Sequence, residues 1–285
     1  MSNKLKTGYE LKEDILVSVN NIKPVPEVLS KARQMVVNPT TPLKDLTDLI
    51  DKDPSTTMKV LRLANSVYFK RREPATTVHE AALVLGTKNL SEMLLMAFAS
   101  KPLGETLQGY DFKTMTLWQH SLAVAFASKF ITEKNYPDFG DVAFTAGLIH
   151  DVGKIILDKY VFERADLIEQ VQKEKQIPFY DAIRDVLGFD HAEIAAEICI
   201  RWNFPDIIAK AIKYHHMPQN SKGDILSYVV HVADQIAMWS CIDSDKEPLE
   251  IIDEPFRVLG LDMNDADIIM DYILESVSTI TMAMQ

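Results

Sequence analysis

"AGLIHDVGKIIL", Ala146 to Leu157, is an apolar run with helical spacing that an adjacent His150–Asp151 pair interrupts. Imidazole and carboxylate groups bind metal ions, and they are costly to bury unless they meet a partner. The pair therefore has three interpretations: a working metal site, the remnant of one, or a hydrogen-bonded pair inside the core. Which interpretation applies depends on the residues that the rest of the chain places around the pair.

The rest of the chain repeats this helical spacing. Apolar residues recur at intervals of three and four over residues 28–36 and 43–50, and no segment alternates long enough to predict a strand. Asp53 followed by Pro54 is a typical helix start, and Gly86 predicts a break between two helices. The sequence therefore predicts an all-α protein.

A polar, glycine-containing stretch, "SKPLGETLQGYDFKTMT", divides the predicted helices into two groups. Residues 1–108 form a predicted N-terminal helical bundle, packed against a larger bundle with a C-terminal helical extension in residues 109–285. Helices of the second bundle are predicted at about residues 118–132, 141–160, 163–173, 179–187, 190–202, 205–216, 224–239 and 263–282.

Composition limits the class of protein. Of 285 residues, 47% are hydrophobic and 25% are charged, which is ordinary for a globular chain. The two cysteines, Cys199 and Cys241, cannot form a disulfide framework and fit a reducing cytoplasm. The start lacks the apolar core of a signal peptide, and no apolar run approaches the roughly 18 residues of a membrane span. We therefore predict a cytoplasmic protein that does not contact a membrane.

Charge is unevenly distributed. Residues 1–112 carry 15 basic and 13 acidic side chains, whereas residues 113–285 carry 15 basic and 28 acidic ones. Nucleic-acid binding requires a basic surface to neutralise phosphates, so the acidic second half argues against it. The charge is compatible with protein partners.

Six of the seven histidines lie in the second half. His120 shares a helical face with Val124 and Ala127, which predicts that it faces the core. Metals bind neutral imidazole and carboxylate, and several helices of a bundle can together form such a site. The candidate metal ligands are His120, His150, Asp151, His191, His215, His216 and Asp234.

Each candidate also has a plainer interpretation. A lone inward histidine is more often a hydrogen-bonded core residue than a ligand. Asp190 is positioned to cap the helix that begins at His191, and His215–His216 could form a cationic pair at a helix C-terminus. The order of the set, His, His-Asp, His, His-His and Asp, favours a shared metal site.

This order resembles the H…HD…D signature of the HD superfamily of metal-dependent phosphohydrolases. In this chain the signature falls on His120, His150, Asp151 and Asp234. "HDVGK" is similar to the HD-GYP branch, the cyclic-di-GMP phosphodiesterases, in which the lysine matched by Lys154 contacts substrate phosphate. The resemblance implies that the further ligands are His191, His215 and His216.

Over roughly residues 18–240 the chain resembles more closely the HDOD domain proteins of bacterial signalling, in "LRLANS", "LWQHSLAVA" and "FTAGLIHDVGKIIL". Two features depart from the HD-GYP pattern. "MPQNSKGD" follows His216 in place of a GYP-like motif, and Thr116 occupies the position of an extra glutamate ligand in some of those enzymes. Because a threonine hydroxyl is a poor replacement for a glutamate ligand, Thr116 weighs against a third metal, and a two-metal site stays chemically possible.

The resemblance implies a regulatory module that acts in trans on signalling proteins, with one or two divalent transition metals such as Fe, Mn, Zn or Ni. The alternative is a metal-dependent HD-type phosphohydrolase or phosphodiesterase acting on a phosphate ester or nucleotide, with Lys154 on the phosphate. A third interpretation is a metal-stabilised or metal-sensing module without turnover. We favour the regulatory function, because no arginine pair or glycine loop is placed to cradle a nucleotide. The sequence predicts no oligomeric state.

Overall fold

Helices are the only regular secondary structure in the part of the chain that the computed structural model describes, and the all-α prediction is confirmed. The described residues are 8–20, 43–69, 73–110, 115–240 and 253–284. The helix predicted over residues 28–36 lies outside them.

The first part of the fold contains α1 (Gly8–Asn20), α2 (Leu43–Ile50), α3 (Pro54–Ala64) and α4 (Val78–Leu103). Asp53 caps α3 by accepting a hydrogen bond from the Ser55 backbone N–H, as the sequence predicts. Gly86 has a φ of 80° inside α4 and bends it, which confirms the predicted break.

Helix α4 is long and apolar enough to span a membrane, with a mean hydropathy of 1.2 over its best 18-residue window. The sequence prediction that no run reaches this length is therefore wrong by this measure. However, 56% of that window is buried inside the protein, with Leu90, Met93 and Leu94 in the core. Core helices pass the same test, so this feature is weak evidence for a membrane span.

The second part of the fold is a larger set of helices. They are α5 (Leu117–Asn135), α6 (Gly140–Ile149), α7 (Val152–Phe162), α8 (Ala165–Lys175), α9 (Phe179–Leu187), α10 (His191–Arg201), α11 (Asp206–Tyr214), α12 (Ile225–Trp239), α13 (Asp253–Leu259) and α14 (Met263–Met284). The sequence predicts most of these within a few residues, but it does not predict α1 or α13.

The predicted helix over residues 141–160 is two helices, α6 and α7, and this prediction was wrong. The chain turns between them at His150 and Asp151, where Asp151 has φ −99° and ψ 7°. Apolar periodicity continues through the turn, so the sequence pattern does not predict the break. The turn points both side chains into the bundle.

Two apolar cores lie on either side of this turn. The larger core joins α2 to α6 with α10 to α14. The smaller core packs Leu11 and Ile15 of α1 against Leu157 of α7, Ile183 of α9 and Ile194 of α10. Helix α1 therefore packs against the second group of helices, and the division of the chain at residues 108/109 stays a prediction.

Candidate metal centre

Helices α5, α6, α7, α10, α11 and α12 bring the seven predicted ligands together. His120 lies in the first turn of α5, and His150–Asp151 lies at the turn between α6 and α7. His191 is the first residue of α10, His215–His216 follows α11, and Asp234 lies in α12. The set comes from distant parts of the sequence and meets inside the bundle.

Two glycines allow the helices to approach closely enough for this meeting. A Cβ added to Gly147 would lie 2.7 Å from the carbonyl oxygen of Val124 on α5. A Cβ added to Gly153 would collide with the carbonyl oxygen of His191 on α10. Because both positions lack a side chain, the "GLIHDVG" segment fits directly between α5 and α10.

Asp190 caps α10, as predicted, by accepting a hydrogen bond from the Glu193 backbone N–H at 2.8 Å. Arg184 of α9 also donates to the buried Asp190 carboxylate. The cap and its arginine fix the start of α10, and hence the backbone of His191. The capping role is compatible with ligation by the next residue.

Asp151 lies at the centre of the cluster. Its Oδ2 is 3.3 Å from His150 Nε2 and 3.6 Å from His120 Nε2. Its Oδ1 is 3.1 Å from His191 Nε2. The two carboxylate oxygens therefore face different imidazoles and connect two sides of the cluster.

Asp234 and the histidine pair complete the two sides. Asp234 Oδ1 is 3.0 Å from His120 Nε2 and 3.8 Å from His150 Nε2. On the other side, His216 Nε2 is 2.9 Å from His191 Nε2. Three groups each have ligand atoms within 4.8 Å of one another: His120/His150/Asp151, His150/His215/Asp234 and His191/His215/His216.

Burial keeps the histidine pair neutral. It lowers the pKa of His215 to about 3 and holds the pKa of His216 well below its usual range, with further lowering by neighbouring histidines. The alternative of a cationic pair at a helix end is therefore wrong. Neutral imidazole is the form that binds metal.

The two carboxylates stay ionised although they are buried. Burial would raise the pKa of Asp151, but His150 and Lys154 outweigh it and hold that pKa well below its usual range. For Asp234, the hydrogen bond and charge of His120 likewise overcome burial and lower the pKa. Asp151 and Asp234 also raise the pKa of His150 against the effect of burial. The cluster thus attracts positive charge.

His215 gives the clearest test of whether a metal fits. It is fully buried, and its Nδ1 lies 2.7 Å from the Ile212 carbonyl oxygen, which places the ring proton on Nδ1. The lone pair of Nε2 faces the cluster and has no hydrogen-bond partner. A buried polar atom without a partner is unfavourable, and histidine ligands commonly donate their other N–H to a carbonyl.

The donor spacing also fits. Two ligands about 2.1 Å from one ion lie roughly 2.9–3.4 Å apart at octahedral or tetrahedral angles. The separations of 2.9, 3.0 and 3.1 Å within the cluster match this range. Mixed imidazole and carboxylate donors suit Fe, Mn, Zn or Ni, so the residues fit the predicted class of metal.

Lys154 borders the cluster but is already engaged. Its ammonium group donates to Asp151 Oδ2 and lies 5.9 Å from the ring centroid of Tyr110. The phosphate contact that the resemblance implies for Lys154 stays a prediction.

Sequence reasoning missed two residues that touch the predicted ligands. Tyr180 of α9 stacks on His216, with ring centroids 4.1 Å apart. His231 of α12 reaches the backbone carbonyl of His215. The only local signal was the spacing of three residues between His231 and Asp234, which places both on one face of a helix. His79, the one histidine in the first half of the chain, is exposed.

A family model for the HDOD domain matches residues 22–218. A protein of uncharacterised function from Treponema pallidum (strain Nichols) is 27% identical over 214 residues, which are 73% of this chain. The chain spans about 40% of the length of that relative.

Three crystal structures share the fold. An HDOD domain protein of unknown function from Geobacter sulfurreducens has a TM-score of 0.75 at 22% identity, covering 96% of each chain. A candidate phosphohydrolase from Shewanella amazonensis SB2B has a TM-score of 0.72 at 22% identity, covering 95% of this chain and 98% of its own. A candidate signal transduction protein from Marinobacter aquaeolei VT8 has a TM-score of 0.69 at 21% identity, covering 96% of this chain and 65% of its own.

At these identities the structures show a common fold, and function has to be argued from the site. The family model covers more than half of the chain, from just after α1 to the cluster as far as His216, and Asp234 lies beyond it. The chain belongs to the HDOD domain family.

Proposed function

We propose that this HDOD protein binds one or two divalent transition metal ions in the buried cluster and acts in trans on signalling proteins as a regulatory module. His215 is the observation that supports metal binding most strongly, since its neutral Nε2 is buried without a hydrogen-bond partner. The metal would stabilise the folded bundle, because the ligands come from six helices that only the fold brings together.

The cluster is largely buried, and this favours a regulatory function over catalytic turnover. His150 and His215 are fully buried, and Asp234 and Lys154 reach the surface with side-chain exposures of only 19% and 17%. Lys154 is paired with Asp151, so a substrate phosphate would have to compete with that carboxylate. Catalytic metal sites keep a position open for substrate or water.

Exposed apolar side chains on the N-terminal helices support a role for protein partners. Met58 of α3, Val67, and Leu83 and Val84 of α4 are all largely exposed. Contiguous exposed apolar surface marks protein interaction sites, and Leu83 and Val84 are adjacent on α4. This group lies outside the metal cluster, so partner binding would use a separate face.

A phosphohydrolase is the second candidate, and the position of Lys154 at the edge of the cluster favours it. When bound, divalent ions supply Lewis-acid activation of water and of a phosphate ester. In that function Lys154 would leave Asp151 and hold the phosphate of the substrate. The name of the Shewanella relative points in the same direction, but at 22% identity it supports only the fold.

Elemental analysis tests the metal centre directly. The full chain is purified without chelators or metal-affinity steps, beside a His150→Ala/Asp151→Ala variant and a His79→Ala control. We expect one or two transition metal ions per wild-type chain, the same content in the exposed-histidine control, and background in the double variant. Removing metal with a chelator should also lower the melting temperature of the wild type but not of the double variant. Background metal in all three proteins would contradict the proposal.

A hydrolysis assay separates the two functions. The metal-loaded protein is incubated with bis(p-nitrophenyl) phosphate and with cyclic dinucleotides, beside a Lys154→Met variant. We expect no turnover above that of the double variant. Turnover that is present in the wild type and lost in Lys154→Met would establish the phosphohydrolase instead.

A further inference from the structure

His231 is a buried histidine outside the set of predicted ligands. Its Nδ1 lies 2.5 Å from the backbone carbonyl oxygen of His215, sixteen residues earlier. Its Nε2 lies 2.9 Å from the side-chain Nε2 of Gln235, one turn later on α12. His231 therefore connects the end of α11 to the helix that carries Asp234.

These two contacts fix the tautomer of His231. A carbonyl oxygen only accepts, so the proton must be on Nδ1, and Nε2 must then accept from the amide of Gln235. The direction of both hydrogen bonds is thus determined by the chemistry of the partners.

The His215 carbonyl lies at the end of α11, where no backbone N–H of the helix is available to donate to it. His215 is the C-cap of α11, and carbonyl groups in the last turn of a helix lack intrahelical donors. The same residue carries the imidazole whose Nε2 points into the cluster, and His216 follows it. By donating to the His215 carbonyl, His231 fixes the turn from which the imidazoles of His215 and His216 project.

We propose that His231, supported by Gln235, is a positioning residue that sets the separation between the His215–His216 turn and Asp234. This inference rests on the proposed metal centre. Groups that hydrogen-bond to the side chains of metal ligands typically change metal affinity 10- to 100-fold when they are replaced, and His231 bonds to the backbone of such a ligand.

Titration of the chelator-stripped full chain with Co²⁺, followed by visible absorbance, tests this role. His231→Leu removes the donor while keeping an apolar volume, and His231→Asn restores an amide N–H near the position of Nδ1. We expect about 10- to 100-fold weaker Co²⁺ binding and an altered absorption spectrum in His231→Leu. His231→Asn should recover most of the affinity and the wild-type spectrum.

The melting temperatures of the metal-free variants separate positioning from general packing. A merely structural role predicts lower melting temperatures in both variants with Co²⁺ affinity unchanged, and this would overturn the inference. Equal loss of affinity in both variants would also overturn it.

If His231→Leu does not fold, Gln235→Met removes the donor to Nε2 alone and should weaken Co²⁺ binding by a smaller factor. Unchanged affinity would again overturn the proposal. Failure of the wild type to bind Co²⁺ would refute the metal centre itself.

Discussion

Helix α5 carries the buried His120 and the half-buried Lys129, and the two differ in how their charges are balanced. Lys129 places its ammonium nitrogen 2.5 Å from Glu92 Oε1 of α4, so one cation meets one anion. His120 instead lies between two carboxylates, 3.0 Å from Asp234 and 3.6 Å from Asp151. In the first arrangement Lys129 and Glu92 balance each other's charge. In the second, two carboxylates surround one imidazole, so there are more hydrogen-bond acceptors than donors.

The pKa values follow the same division. Burial raises the pKa of Glu92 even with Lys129 beside it, so the single cation offsets only part of the cost of burying the carboxylate. Burial is overcome at Asp151 and Asp234, whose pKa values are lowered. Buried polarity alone therefore does not identify a functional site. The proposed metal centre differs from the Lys129–Glu92 pair by a surplus of ionised acceptors and by buried lone pairs without hydrogen-bond partners.

The largest expected effect comes from Gly153→Ala. The added Cβ collides with the His191 carbonyl, and the obstacle is backbone, so α7 must move away from α10. Overpacking of this kind typically costs about 1–3 kcal/mol, and it would also separate Asp151 from His191. After metal has been removed with a chelator, we expect the variant to unfold at lower urea concentration than the wild type. The variant purified without chelator should contain less metal.

Gly140→Ala is the matched control. Gly140 is also a helical glycine, but its nearest neighbour to an added Cβ is Thr132 Oγ1 at 4.0 Å. The substitution should be neutral or slightly stabilising, with unchanged metal content. A Gly153→Ala protein that keeps full metal content would show that close contact between α7 and α10 is unnecessary for the cluster.

Local features of the fold could be predicted because local residues determine them. Helix α9 begins and ends where the sequence predicts, at Phe179 and Leu187. The Asp53 cap and the break at Gly86 follow from single-residue preferences. Helix α1 escaped prediction because its buried Leu11 and Ile15 alternate with exposed Tyr9 and Val17, so no single apolar face stands out.

The members of the cluster were found from their order along the chain, and the structure brings all seven together. The turn at His150–Asp151 was not found, because the apolar residues on both sides fit a single helix. His231 and Tyr180 were missed for another reason. Their contacts with His215 and His216 join separate helices, and no local pattern records them.

Lys129→Met should have the next largest effect, and it should leave the metal centre intact. Removing one partner of a buried ion pair is destabilising, but Lys129 is partly exposed and Glu92 can protonate, so we expect a smaller loss than for Gly153→Ala. Since the pKa of Glu92 is raised in the fold, its favourable contribution is present at low pH and is lost as pH rises. The destabilisation should therefore be largest at neutral pH and shrink towards pH 4.5, the ordinary pKa of the group.

Urea denaturation of the chelated protein at several pH values measures this trend, with Glu92→Gln/Lys129→Met as the control that removes both charges. The double variant should be more stable than Lys129→Met at neutral pH and should lose the pH dependence. Metal content should match the wild type in both. A fall in metal content would mean that the Lys129–Glu92 pair and the metal cluster are coupled, which contradicts their independence.

Asp53→Ala should have the smallest effect and supplies the reference for a solvated carboxylate. Asp53 accepts hydrogen bonds from the Ser55 N–H and from Thr56 Oγ1, and the Thr56 bond lowers its pKa. Loss of an N-cap typically costs about 1 kcal/mol. Because the folded pKa is lowered, this contribution is present above pH 3.8 and fades as pH falls through the lowered value. The difference in unfolding free energy between wild type and variant should thus be constant near neutrality and shrink in acid, in the same direction as for Lys129→Met but at lower pH. Asp53→Asn, which keeps an acceptor without the charge, should lose less stability and show no such fading.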